Sequence, residues 1–416
     1  MSMDARRVVV TGMGVLTPLG NDVAEFWHNL LQGQSGVGPI THFDTTDFAT
    51  KFAAEVKGFD PDDYMDRKEA RRMDLFTQFA IAAAEKAVTD ATLPVADLPK
   101  DRVGVIIGSG IGGMSTFEAQ SRTLMERGPR RISPFFIPMM ISDIAAGYIS
   151  IRYGFRGANF ATVSACASSS HAIGEAFRTI ARGDAEVMVT GGSEATITPL
   201  GVGGFNAMKA LSTRNDAPEK ASRPFDLDRD GFVIGEGSGI VVLESADHAH
   251  DRGARIYAEV SGVGYSADAY HITAPAPDGG GATSAMRLAL KGSGLKREEI
   301  DYVNAHGTST PHGDAAETRA IKEVFGAHAY EMSVSSTKSM IGHLLGASGG
   351  VEFIVTALSV HNDQVHPTIN QETSDPECDL DYIANQSRKR AVRAGLCNSF
   401  GFGGHNVSII LKKYQE

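Results

Sequence analysis

The chain reads as if written twice, and that duplication restricts its fold more than any other feature. An apolar run opening at Arg7 and leading into Gly12-x-Gly14 returns at Arg255, leading into Gly262-x-Gly264. A glycine loop feeding an apolar run, from Gly235 to Leu243, returns from Gly401 to Leu411. Between them, residues 103–107 answer to residues 300–303, each followed by a loop of small residues. The turn around Cys166 falls where the segment from Lys338 to His343 falls in the second copy. The offset shrinks along the chain, so the first copy carries insertions, at about residues 110–141 and 196–229. The halves are residues 1–254 and 255–416. Helical patterning is predicted over 22–32, 73–92, 172–181, 314–324 and 351–360. Unbroken apolar strands alternating with helices imply an α/β protein, with two sheets buried on both faces by helices.

Bulk properties exclude several classes. A hydrophobic content of 42% over 416 residues supplies a sizeable core. Three cysteines without paired spacing argue against a disulfide framework or a Cys-rich metal site and point to a reducing, cytoplasmic setting. The run Val8 to Val10 is broken by Thr11 and Gly12, which reads as a strand opening rather than a signal peptide. Nowhere do about 18 apolar residues follow one another, so no membrane span is expected. A net charge of −11 argues against nucleic acid as a partner. Lys68, Arg71, Arg72, Arg130, Arg131 and Lys209 form basic exceptions in this acidic chain, although such clusters are most often solvated faces. Gly12-x-Gly14 lacks the third glycine and acidic partner of a dinucleotide site.

Chemistry concentrates in four places. Cys166 sits where a strand-like run gives way to a helical stretch, so the positive end of a helix favours its thiolate. Free cysteine is also among the most buried residue types, and this segment alone leaves both readings open. His306 follows a strand and precedes a helix opening at Asp314, within the run from Asn304 to Pro311. His343 lies in a glycine-rich segment five residues after Lys338. A last loop, Asn398 to Asn406, packs Gly401, Gly403 and Gly404 around Phe402, a density that signals close backbone approach.

Together, in this order, these segments resemble the β-ketoacyl-acyl-carrier-protein synthases, and nearly the whole chain takes part. The resemblance is to the elongating, type II branch with a Cys-His-His triad. It implies a thiolase-like fold, with duplicated βαβαβαββ halves in a five-layer α-β-α-β-α sandwich. It also implies an acyltransferase that carries out a decarboxylative Claisen condensation in fatty acid elongation. Cys166 would hold the acyl chain, His306 and His343 would stabilise the malonyl-derived enolate, and the backbone N–H groups of Cys166 and Phe402 would hold the oxyanion. Lys338 would orient the site through Glu352. The acyl and pantetheine chains would meet Ile111, Phe205, His271, Thr273, Thr308, Thr310 and Phe400, with Phe136 reaching the pocket of a neighbouring subunit.

The resemblance further implies a homodimer and acyl carrier protein as partner, docked on Lys68, Arg71, Arg72, Arg130, Arg131 and Lys209. No metal and no resident cofactor are expected, because phosphopantetheine arrives on the carrier. A thiolase would carry Asn-Glu-Ala-Phe at Asn304 to Gly307 and a second cysteine in the last glycine loop. Cys397 is instead separated from that loop by Asn398, Ser399 and Phe400, and Cys378, in an acidic loop, looks incidental. A ketosynthase of a polyketide or specialised lipid pathway shares the triad and stays open. A non-catalytic, chain-length-setting partner subunit would have lost Cys166.

Overall fold

The computed structural model describes residues 6–416, so the first five residues assigned to the N-terminal half lie outside them. Five strands come from the first half: β1 (Val8–Leu16), β2 (Val103–Gly108), β3 (Asn159–Thr162), β4 (Val187–Glu194) and β5 (Gly237–Ser245). Five come from the second: β6 (Ala258–Ala267), β7 (Tyr302–Asn304), β8 (Ser333–Ser335), β9 (Ala394–Gly401) and β10 (His405–Lys412). The first set is ordered β3-β2-β4-β5-β1 and the second β8-β7-β9-β10-β6, the same topology twice. Strand senses match as well: the second, third and fourth strands of each set run parallel, and the fifth and first antiparallel to their neighbours.

One expectation needs correction. The two sheets are joined, because Val8 to Val10 pair antiparallel with Ala258 to Val260 and make one ten-stranded order. Six helices complete the layers: α1 (Leu75–Asp90), α2 (Met114–Arg127), α3 (Ser168–Ala181), α4 (Gly280–Ser293), α5 (Pro311–Phe325) and α6 (Ser348–Asn362). Helix α1 covers one outer face, on β1, β4 and β5, while α4 covers the other, on β6 and β10, with α5 beside it. Helices α3 and α6 touch each other and strands of both halves. They form the middle of five layers. Every residue of α6 from Ser348 to Val360 is buried, as a helix covered on all sides requires.

The repeated Gly-x-Gly pairs have a packing cause. A Cβ on Gly12 or Gly14 would lie 2.2 Å from the Ala87 carbonyl or 2.1 Å from that of Ala83, both on α1. A Cβ on Gly262 or Gly264 would lie 2.2 Å from the Ala289 carbonyl or 2.0 Å from that of Ala285, both on α4. In each half an alanine-faced helix therefore sits directly on the backbone of the first strand.

The halves differ in the segments that join their strands. Residues 195–236 separate β4 from β5, whereas only the turn from Phe402 to Gly404 joins β9 to β10. The second half has an extra segment of its own, residues 363–393 between α6 and β9, which the echo did not reveal. The alignment of the Cys166 turn also shifts. Ala165 and Leu345 both take left-handed backbone, at φ 50° and 48°, one turn before α3 and α6. Cys166 thus corresponds to Gly346, and His343 lies three residues earlier. Helix α5 opens at Pro311 rather than Asp314, with proline at its first position, where a missing N–H costs nothing. Among the described residues no helix is long and apolar enough to cross a membrane.

Replacing Gly264 by alanine drives a methyl group into the α4 backbone. Loss of about 1–3 kcal/mol of stability is expected in urea unfolding. Gly38→Ala, where a Cβ meets nothing within 4 Å, stays within about 0.5 kcal/mol of the parent.

Candidate active site

The turn carrying Cys166 is held from both sides. The Ser168 hydroxyl accepts from the Ser164 amide (2.9 Å) and donates to the Ala165 carbonyl (2.7 Å), which pins the left-handed Ala165. This turn, the Gly401–Phe402 corner beyond β9, the loop after β7 and the segment before α6 converge on one cavity of about 600 Å³. Cys166, His306 and His343 stand together in its wall.

Cys166 Sγ lies 2.9 Å from His343 Nε2, and His343 Nδ1 lies 2.8 Å from the Ser348 hydroxyl at the start of α6. A hydroxyl can donate or accept, so Ser348 serves either tautomer of the ring. Phe232 packs edge-on against His343 at 5.3 Å and limits its rotation. The His306 ring stands nearly perpendicular to that of His343, centroids 5.5 Å apart. Lys338 Nζ lies 3.4 Å from His306 Nδ1. An ammonium has only donors, so Nδ1 accepts and the ring proton sits on Nε2. Lys338 in turn is ion-paired with Glu352, both side chains 1% exposed.

Desolvation sets the charge states. Burial pushes the Cys166 thiol up to about 12, against the smaller opposing pull of Lys338 and the backbone amides of Phe402 and Cys166. Burial therefore outweighs the helix end, and the resting group is a thiol hydrogen-bonded to imidazole. Burial first, and then the Lys338 charge, hold both His306 and His343 well below the usual imidazole value. Both rings are neutral across the physiological range.

Most predicted pocket residues meet here. Ile111, Phe205, Thr273, Thr308, Thr310, Phe400 and Phe402 line the cavity, with Thr308 and Thr310 hydroxyls 3.0 Å apart. His271 does not. It is exposed, and its Nδ1 accepts from the amides of Thr273 and Ala274 (both 3.1 Å), so it shapes the loop instead of facing the site. Phe136, in the short helix Phe136–Met140, lies outside the cavity wall beside the exposed Ile137. Lys209 is on the cavity rim at positive φ. Lys68, Arg71, Arg72, Arg130 and Arg131 are exposed, and Arg72 stacks over Phe135 at 4.5 Å, tying two of the basic clusters together. Cys397 is buried in β9 and Cys378 in the core around α5, and neither lines the cavity.

Three supporting residues escaped sequence reading. Ser348 holds His343. Glu317 accepts from the amides of His306 (2.9 Å) and Gly307 (2.8 Å) and from Asn398 (3.1 Å), which fixes the His306 loop to β9. Glu194, at the end of β4, gathers several backbone amides near Cys166. The only available signal was a charge closing a strand-like run, as at Glu194 five residues after Val187-Met188-Val189.

Removing Lys338 leaves the Glu352 carboxylate buried and unpaired. Lys338→Ala is expected to cost about 3–5 kcal/mol in chemical denaturation, and adding Glu352→Ala to recover part of that loss.

The model of the beta-ketoacyl synthase N-terminal domain matches residues 5–249, and that of the C-terminal domain residues 257–372. A 3-oxoacyl-[acyl-carrier-protein] synthase 2 of Synechocystis is 55% identical over 414 residues, 100% of both chains. A beta-ketoacyl synthase from Burkholderia phymatum superposes with a TM-score of 0.92 at 37% identity, covering 99% of this chain and 100% of its own. A ketosynthase solved with its type II PKS acyl-carrier protein superposes at 0.91 and 36% identity, with the same coverage. With two family models spanning most of its length and a full-length relative at this identity, the chain belongs to the beta-ketoacyl synthase family.

Proposed function

We propose that this chain elongates acyl chains by decarboxylative Claisen condensation with malonyl-acyl-carrier protein, as a 3-oxoacyl-acyl-carrier-protein synthase of the second type. The observation that carries the reading is one buried cavity joining a thiol, hydrogen-bonded to imidazole, with a second imidazole whose N–H points free. Cys166 loses its proton to His343 Nε2 as sulfur attacks the incoming acyl thioester, and the carrier thiol leaves with a proton. The amides of Cys166 and Phe402, which already reach the sulfur, hold the oxyanion of that tetrahedral intermediate.

Malonyl thioester then enters. With the sulfur acylated, the His343 proton moves from Nδ1 to Nε2, a change the Ser348 hydroxyl allows because it can donate or accept. The N–H of His306 Nε2 and that of His343 Nε2 then donate to the malonyl carbonyl oxygen, and the C–C bond to the carboxylate breaks with release of CO₂. The resulting enolate carbon attacks the acyl carbon on Cys166, whose thiolate departs, leaving a β-ketoacyl chain two carbons longer on the carrier. Neutral rings suit this role, because they donate hydrogen bonds without adding a second cation beside Lys338. No resident cofactor is required, since the pantetheine thiol comes with the substrate and Thr308 and Thr310 offer it hydroxyls.

Acyl carrier protein is the partner this reading needs, and the relative solved with its carrier supports it. The exposed Arg71, Arg72, Arg130 and Arg131, with Lys68 and Lys209, offer an acidic carrier a cationic rim. A homodimer is supported by β3, which ends the sheet with Phe160 42% and the adjacent Val163 61% exposed. Three free cysteines suit a reducing cytoplasm. Identity of 55% to a synthase 2, against 36% to the polyketide ketosynthase, favours fatty acid elongation over a specialised pathway.

Intact-mass spectrometry tests the reading. Acyl-carrier thioester should leave an acyl adduct on Cys166, discharged as a product two carbons longer when malonyl carrier is added; absence of the adduct refutes it. Cys166→Gln should abolish condensation and retain malonyl decarboxylation. With burial depressing both imidazoles, that decarboxylation should show no inflection at about 6.5, the free-imidazole value, and an acid limb only well below it. Arg130→Glu with Arg131→Glu should raise KM for carrier-bound donors and spare small thioesters. Equal loss on both removes the case for docking there.

A further inference from the structure

The Glu194 carboxylate is completely buried at the end of β4 and lines neither cavity, yet it has an unusual set of partners. Its Oε1 accepts from the Ser109 hydroxyl (3.0 Å) and from the amides of Ile111 (3.2 Å) and Gly112 (3.3 Å). Its Oε2 accepts from the amides of Gly110 (2.7 Å) and Gly346 (3.0 Å). The backbone amides can only donate, so the site demands a group that accepts through both oxygens. One side chain thus ties the loop after β2 to the turn before α6. The joint has no slack, since a Cβ on Gly346 would lie 2.2 Å from the Gly110 nitrogen.

What hangs on this joint is Ile111. It lines the reaction cavity and also a second cavity of about 610 Å³, whose wall includes Gly113, Met114, Phe117, Met140 and Leu200. Ile111 is the residue common to the two linings, so it stands between the two spaces. The backbone there is also pressed from behind, because a Cβ on Gly113 would lie 2.3 Å from the Met139 carbonyl. Within the reading of Cys166 as the acyl carrier, we infer that Glu194 is a positioning residue for chain-length selection. It clamps the backbone of residues 110–112, so that the Ile111 side chain can yield to a long acyl chain without the loop collapsing into the second cavity. Donors that end before Ile111 do not draw on the clamp. Donors that pass it do.

Glu194→Gln is close to isosteric and separates these cases. Either orientation of the amide turns an NH₂ toward N–H groups, on the Gly110 and Gly346 side or on the Ile111 and Gly112 side. Loss of two such bonds to a charged acceptor corresponds to at least about ten-fold. The expected result is that kcat/KM for a long, sixteen-carbon acyl-carrier donor, relative to that for a four-carbon donor, falls by at least about ten-fold. KM should carry most of the change. The ratio cancels any influence of the Glu194 charge on Cys166, which both donors share. An unchanged ratio, including equal loss on both donors, overturns the inference and leaves Glu194 as scaffold. Should Glu194→Gln fail to fold, Ser109→Ala removes one donor and should shift the same ratio by about three-fold in the same direction; no shift in that variant overturns the inference. Failure of the parent protein to form any Cys166 adduct would strike the proposed function itself, an outcome visible before any variant is made.

Discussion

Burial in the layer between the two halves governs the charge states of Cys166, His306 and His343. A thiol at a helix end in solvent would be acidic, and imidazoles in solvent would titrate near neutrality. Packed between α3, α6 and the ends of β7 and β9, Cys166 becomes a weak acid and His306 and His343 become weak bases. The site thus holds its protons in place until a substrate demands them. The tolerated exception is the Lys338–Glu352 pair, a cation beside its own counter-charge. Its cation faces His306 Nδ1 and thereby sends that ring's proton to the pocket side.

The duplication explains how such a centre can be both buried and precise in position. Two copies of one topology, joined along Val8–Val10 and Ala258–Val260, set two central helices with their N-terminal turns close together. Each turn begins with a left-handed residue, Ala165 or Leu345, and the first delivers the nucleophile. In the second copy glycine occupies the equivalent position, and that absence of a side chain lets Gly346 reach Glu194. The copies thus diverge at this turn: one carries the Cys166 side chain, and the other leaves room for the Glu194 carboxylate. The same close packing recurs on the outer faces, where Gly14 and Gly264 admit α1 and α4.

Much of this was legible in the residues. Repeated Gly-x-Gly runs and glycine loops marked the duplicated strands, and apolar runs with interleaved helical periods marked the layers. The segments around Cys166, His306, His343 and Phe402 stood out because catalysis needs uncommon residue combinations at turns. His271 was misread, since a histidine two residues before Thr273 can face the cavity or fold back on its own loop, and only the backbone course separates these. The burial of Cys378 was not legible, because an acidic neighbourhood in sequence says nothing of the aliphatic surface that covers it.

The sequence by itself marked the α/β class and the segments that carry Cys166, His306, His343 and Phe402, because periodicity and residue chemistry are local properties. Only the tertiary structure decided that the two sheets share one strand order, that burial outweighs the helix end at Cys166, and that Ser348, Glu317 and Glu194 support the site. Desolvation and convergence of distant amides arise from packing between segments far apart in sequence, such as Gly110 and Gly346, 84 and 152 residues from Glu194. No local pattern encodes them.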